Sequence, residues 1–347
     1  MVTLDFSEVR IEKLITHHVG NPMREDEPLL LSENTTQVEG ETVEYFLKYL
    51  LTAFKPIDFY NFSHPIDLER NDIYEIAKTI FEDNNAFVDY SKSIAKLLYE
   101  NSNHPKVKAG ELNVILLDDV VLGDEMMQVI GIFKSENNVP FIKMKASNNQ
   151  YKIEHDFGFE IKKMDKGCLI FNIESEVGYR VLVIDNVNKQ SDAQYWVNDF
   201  LQLQPLSDEF YHTKSVLNLT KEFLTEQAPA ELEKTAKIDL LNKTISYFKT
   251  NENFQQDDFE EVIFEDANLR QSFKEFKTNA EGEGTFEPVD NFEISSQAVK
   301  SQAKNFKSVL KLDRNFSVYI HGDKSLIQKG REEDGRKFYK IYYEEEQ

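Results

Sequence analysis

The sequence predicts an α+β chain in four stretches: a helical N-terminal segment, an antiparallel meander, a second helical region and a small basic β-rich C-terminal unit. Three observations predict it. Apolar residues recur with a helical period between residues 41 and 100. Between 111 and 186 they change to short, nearly continuous apolar runs with short connections. The charge then reverses. The chain carries −22 in all, yet the window 300–340 holds eleven Lys and Arg against five acids, a net of +6. Once the closing Glu344, Glu345 and Glu346 are counted, residues 1–299 carry −25.

A length of 347 residues suits about two domains. With 40% hydrophobic and 12% aromatic residues, the chain can build cores for both. The end of the meander is the predicted boundary: an α+β domain over 1–188, with helices about 41–100 and antiparallel strands about 111–186, then 189–347, a helical region ending in the basic unit from about 295.

The first helix is predicted over 41–54, where Val43, Phe46, Leu47, Leu50, Leu51 and Phe54 form one stripe and Pro56 ends it. A second opens at the caps Asn71 and Asp72 and carries Ile73, Ile76, Ala77, Ile80 and Phe81. A third spans 86–100, with Phe87, Ile94, Leu97 and Leu98 inward. Strands follow at 112–117, 127–133 and 139–145, the last two joined by a hairpin turn at 134–138. Two more, 168–173 and 180–185, flank Gly178. Ser191 or Asp192 then caps a helix with Trp196, Val197, Phe200 and Leu201, which Pro205 stops. Ser207 caps the next, and after Pro229 the stripe Ile238, Leu241, Ile245 and Phe248 marks another. The acidic-aromatic segment 254–276 is helical in part, and 278–291 reads as a loop. A helix at 295–305 leads into strands at 306–312, 316–321 and 337–343.

Several function classes fall away. Cys168 is the only cysteine, which excludes an internal disulfide and any multi-cysteine zinc site. It lies in the run Cys168-Leu169-Ile170-Phe171 and reads as a buried, inert thiol. No run approaches the roughly 18 apolar residues that span a bilayer. Residues 1–9 lack the cationic start of a signal peptide, so the chain reads as cytoplasmic and free of membrane contact. No phosphate-binding glycine loop, dinucleotide fingerprint or nucleophile elbow occurs. His17-His18 has no third ligand at a suitable spacing, so no metal and no cofactor is expected. Glu160-Ile161-Lys162, with Asp156 or Asp118, matches part of a Mg-dependent nuclease site, a remote alternative against a solvated strand face.

The basic window offers a nucleic-acid reading. On a helix, Lys300, Lys304, Lys307 and Lys311 form one cationic stripe, unless a boundary near Phe306 breaks it. Arg314, Arg336, Lys337 and Lys340 extend it, interleaved with Phe316, Tyr319, Phe338, Tyr339, Tyr342 and Tyr343. Cations beside aromatics suit phosphates and bases, although such aromatics also fill small cores. In the loop 330–337, three acids lie between the cations, which sets Arg336 and Lys337 above Arg331 as phosphate contacts. A second basic cluster, Lys143, Lys145, Lys152, Lys162, Lys163 and Lys166, is diluted by Glu154, Asp156, Glu160 and Asp165.

Four stretches carry a family resemblance: Ile15-Thr16-His17-His18-Val19-Gly20-Asn21; Lys108-Ala109-Gly110-Glu111-Leu112-Asn113; Ala193-Gln194-Tyr195-Trp196-Val197-Asn198-Asp199-Phe200-Leu201 with Tyr211-His212-Thr213-Lys214; and Phe306-Lys307-Ser308-Val309-Leu310-Lys311-Leu312-Asp313 with Glu333-Asp334-Gly335-Arg336-Lys337-Phe338-Tyr339-Lys340. With these, the chain resembles the bacterial nucleoid-associated NdpA/YejK family in its Bacteroidetes-type branch. The resemblance implies a nucleoid protein without catalytic residues or cofactor, with double-stranded DNA as partner and contact with type II topoisomerases. The expected function is therefore non-enzymatic DNA binding through the C-terminal segment. The alternative is an acidic adaptor for a DNA-processing enzyme. Unpaired strand edges in both halves leave room for a homodimer.

Overall fold

A computed structural model describes residues 3–55, 58–147, 150–187, 195–229, 232–303, 306, 309–312, 316–319, 326–332 and 334–343. The chain divides into two units, Met1–Leu206 and Ser207–Gln347.

The first unit is built on a curled, half-barrel antiparallel sheet. Its strands are β1 (Leu4–Asp5), β2 (Arg10–Val19), β3 (Phe59–Phe62), β4 (Gly110–Leu122), β5 (Glu125–Ser135), β8 (Lys166–Phe171), β9 (Arg180–Asp185) and β10 (Leu203–Pro205). The order is β1-β4-β5-β8-β9-β3-β10, and β2 lies beside β1 along the same edge of β4. Successive strand residues feed two cores, one on each face. In β8, Cys168 and Ile170 join α2 (Asp72–Glu82) and α3 (Phe87–Asn101), whereas Leu169 and Phe171 join the core of α1 (Thr42–Leu51). Both faces are buried, so the strand reads as an unbroken apolar run.

The chain is α+β, but the expected helical N-terminal segment is not what opens it: β1 and β2 come first and complete the edge of β4. β2 pairs along β4 from Arg10 opposite Asp118 to Val19 opposite Gly110, with a register shift between Ile11 and Lys13. That shift interrupts the alternation in sequence. Beyond it Leu14 and Ile15 point to opposite cores, so both are apolar and a one-sided pattern never forms.

A second correction concerns residues 134–138, expected to join two paired strands. β5 pairs with β4 and β8, while β6 (Val139–Ser147) pairs only with β7 (Gln150–Gly158) in a separate two-stranded hairpin. The cause is an anchor at the exit from β5. The Asp165 carboxylate accepts hydrogen bonds from the Glu136 and Asn137 backbone amides (2.7 and 2.9 Å) and from Asn137 Nδ2 (2.8 Å). This draws β8 into the place beside β5. Residues 195–200, expected as an ordinary helix, form a π-helical turn, and Pro205 lies in β10 at the sheet edge, paired with Tyr60, where a missing amide costs nothing.

The second unit holds α4 (Glu209–Glu222), a π-helical turn (Phe223–Gln227), α5 (Lys234–Thr250), α6 (Gln256–Ile263), α7 (Ala267–Gly282) and α8 (Ser296–Ala303) around an aromatic core that includes Phe223, Phe248, Phe254, Phe259, Phe264 and Phe273. Asp208 rather than Ser207 caps α4, accepting from the Tyr211 amide (2.8 Å). The loop expected from 278 begins later. Ala280 is buried, which holds α7 to Gly282, and Gly284 at φ +70° turns the chain out. The pair β11 (Asn253–Gln255) and β12 (Asn291–Glu293) follows the same core. Two further hairpins are β13 (Val309–Leu312) with β14 (Phe316–Tyr319), and β15 (Ile327–Arg331) with β16 (Lys337–Ile341). Val318, Ile327 and Tyr339 pack against Ile238 of α5.

Candidate nucleic-acid interface

The expected cationic helix stripe does not form as one face. Lys300 is exposed near the end of α8, whereas Lys311 lies in β13 opposite Ser317. The break near Phe306 thus separates a helix from a strand. Lys304, Lys307 and Arg314 fall outside the described residues.

The β15–β16 hairpin brings the remaining cations together. Its register sets Arg331 opposite Lys337, Gln328 opposite Lys340 and Gly330 opposite Phe338. Arg331, Lys337 and Lys340 are exposed, and among the described residues none forms an ion pair. Like charges directly opposite each other destabilise a strand pair, and an anion relieves them. Arg336 is committed instead: its Nε lies 2.6 Å from Asp334 Oδ2, across the turn that Gly335 makes at φ +88°. Lys329 lies 3.8 Å from Glu233. The sequence ranking of Arg336 over Arg331 missed this geometry. The signal was the turn at Asp334-Gly335, which fixes the register and sets Arg331 beside Lys337.

The strand period separates the aromatics. Tyr339 and Ile327 face α5, while Phe338, Lys340 and Tyr342 fall on the other side of β16. Lys340 Nζ lies 5.0 Å from the Tyr342 ring centre, and the Tyr342 hydroxyl donates to Gln328 Oε1 (3.0 Å). Phe338 lies over Gly330, where a β-carbon would come within 2.2 Å of the ring. The outer face thus offers two rings flanking one ammonium, a surface that suits bases and phosphates.

Four of the six lysines in the second basic cluster of the sequence are paired with acids, while Lys162 and Lys163 are exposed in the turn after β7. Lys143 pairs with Asp156 (2.7 Å), and Lys145 and Lys152 both pair with Glu154 (2.8 and 2.7 Å). Lys166 is fully buried in β8, with Asp185 at 2.7 Å. Beside it, buried Lys134 meets Glu136 (3.2 Å) and donates to the Lys108 carbonyl (2.7 Å), and both ammonium groups lie over the Tyr195 ring. Burial pushes the Lys134 ammonium down and the Tyr195 hydroxyl up from their ordinary values. This network satisfies itself and leaves nothing for a ligand.

The catalytic alternatives find little geometry. Glu160, Ile161 and Lys162 lie in an exposed turn after β7 rather than on a strand face, and Asp156 is held by Lys143. Asp118 accepts from Gln128 Nε2 (2.7 Å), while Asp119, at φ 61°, lies 2.6 Å from Arg10 Nε. Among the described residues no three His, Cys, Asp or Glu side chains converge as a metal site. His17 Nδ1 accepts from the Ser32 amide (3.0 Å), so Nε2 carries the proton and donates to Ser91 Oγ (3.0 Å). That tautomer prevents His17 from acting as a base toward Ser91, and burial pushes its pKa down to about 4. His18 Nδ1 lies 3.1 Å from Glu111. Burial also pushes the Cys168 thiol up, which makes it unreactive. No helix among the described residues is long and apolar enough to cross a membrane.

A family model described as nucleoid-associated protein YejK matches residues 15–346, and the chain belongs to that family. Among curated proteins no match to the chain was found.

Proposed function

We propose that this chain is a non-enzymatic, nucleoid-located protein that binds double-stranded DNA through its C-terminal basic segment. Membership of a nucleoid-associated family supports the reading. The observation that carries it is the exposed Arg331–Lys337 pair, two cations directly opposite each other in the strand register, neither of which forms an ion pair among the described residues. Phosphates are the natural relief for such a pair, and their counterions are released on contact. Lys300 and Lys340 add to that pair, and Lys304, Lys307, Lys311, Arg314 and Arg336 extend the contact set along the sequence. The −25 borne by residues 1–299 opposes the approach of DNA to the rest of the chain. Contacts go to the backbone, so the affinity is indifferent to base sequence.

That same acidic body favours one second reading, an adaptor that docks on a basic surface of a DNA-processing enzyme such as a type II topoisomerase. A titration on a random-sequence duplex at several salt concentrations separates the two. Direct binding through about five cations gives a log–log slope near −4.5. A chain that leaves the duplex free even at low salt is the adaptor instead.

A further inference from the structure

The β6–β7 hairpin stands apart from the first unit's sheet and exposes both of its faces. Its register sorts the side chains sharply. Val139, Phe141, Lys143 and Lys145 share one face with Lys152, Glu154, Asp156 and Gly158. The other face pairs Ile142 with His155, Met144 with Ile153, Ala146 with Tyr151 and Pro140 with Phe157, and it carries no acid, lysine or arginine. On that face Ile142, Met144, Tyr151, Ile153 and Phe157 are 69, 71, 77, 68 and 60% exposed.

We infer that this face is a dimerisation arm and that its occupant is the same face of a second copy of this chain. Four observations argue for a second copy. First, a two-stranded hairpin with no cover is marginal in water, so strands of nine residues each need a partner surface. Second, an apolar sheet face is complementary to itself, which a two-fold interface requires of the one patch both copies contribute. Third, side chains of this size carry roughly 200 Å² each, so these five expose on the order of 700 Å², close to the ~800 Å² per partner of a stable complex. Fourth, charge directs the meeting here. Residues 139–158 carry three lysines against one Glu and one Asp, in a chain of −22, so two acidic molecules meet at this arm with little repulsion. The lysines on the opposite face are already neutralised by Glu154 and Asp156, which leaves that face no strong ionic preference for another kind of partner. In the dimer the two apolar faces stack as layers about 10 Å apart, with the charged faces outward.

Sedimentation equilibrium of the full chain from about 1 to 100 µM tests this directly. The wild-type chain is expected at twice its single-chain mass. Met144→Glu with Ile153→Glu should return it to one chain, weakening association roughly a hundredfold or more, because the carboxylates would be buried unpaired. Unchanged Trp196 fluorescence shows that the variant is folded, since that ring is fully buried in the first unit. Lys145→Ala, on the opposite face, should leave the mass unchanged. An independent variant, Ile153→Cys, should be linked into a covalent dimer by a short bifunctional maleimide that spans about 10 Å, because Cys168 is buried and leaves only the new thiol reactive. A wild-type chain that stays single at 100 µM, or a doubly substituted chain that stays dimeric, overturns the inference. So does a single chain that binds neutral lipid vesicles through this face, which would identify a membrane surface as the occupant.

Discussion

The hairpins β6–β7 and β15–β16 are both lysine-rich, both aromatic and both two-stranded, yet they dispose of their charge in opposite ways. In β6–β7 each lysine meets a carboxylate on its own face, and the other face carries no acid, lysine or arginine. In β15–β16 Arg331 stands opposite Lys337 and neither forms an ion pair among the described residues, while Ile327 and Tyr339 pack against Ile238 of α5. The first hairpin pairs its charges and exposes an uncharged apolar face; the second leaves Arg331, Lys337 and Lys340 without ion pairs among the described residues and packs one face against α5. A count of basic residues therefore says little about where an anion docks. Register decides it, because register chooses which charge stands opposite which.

Burial sets how much each kind of pairing matters, and three expected outcomes sharpen the contrast. The largest effect lies at the root of the β6–β7 arm, where Lys134 and Glu136 pair with side chains 0 and 1% exposed. Lys134→Met should cost about 3–5 kcal/mol in urea unfolding, because a buried carboxylate loses its cation. Adding Glu136→Leu should recover most of that loss, which distinguishes a stranded charge from a packing defect.

Next comes acid. His17 is buried and neutral, with a pKa near 4, against roughly 6.5 for an unfolded chain. Its contribution to stability is complete above pH 6.5 and is lost as pH falls to 4, because only the unfolded state takes up the proton. The loss reaches about 3 kcal/mol. Unfolding midpoints measured across that range should show the slope, and His17→Asn, which keeps an acceptor near the Ser32 amide, should flatten it.

The smallest effects are expected on the exposed pairs of the arm. Lys143→Gln with Lys145→Gln should change stability by less than about 1 kcal/mol, since exposed ion pairs contribute little. The same variant should leave the salt slope of DNA binding unaltered, whereas Arg331→Gln with Lys337→Gln should reduce it by about 0.9 for each lost contact. Equal slopes for the two variants would remove the distinction between the hairpins.

The helices α1, α2 and α3 were legible because each buries one stripe, and a one-sided helix writes its period into the sequence. The strands β4, β5, β8 and β9 were legible as apolar runs, because both faces of the sheet are covered. β2 was not, since its register shift and two-sided burial erase the alternation that marks a strand. Nor was the partner of β5: residues 134–138 look like a tight turn locally, and only the Asp165 carboxylate, distant in sequence, shows that the chain leaves the sheet there.

The candidate site divides the same way. Composition alone located the basic window and set it against an acidic remainder, because net charge is a sum over residues and needs no coordinates. It also excluded disulfides and multi-cysteine zinc sites, since a single cysteine allows neither. Which lysines are available was a matter for the tertiary structure. Lys143, Lys145 and Lys166 look no less basic in sequence than Lys337 and Lys340, and only strand pairing and burial show that the first three are already neutralised. Charge is a property of residues, but availability is a property of distances, and distances between strands are fixed by the fold.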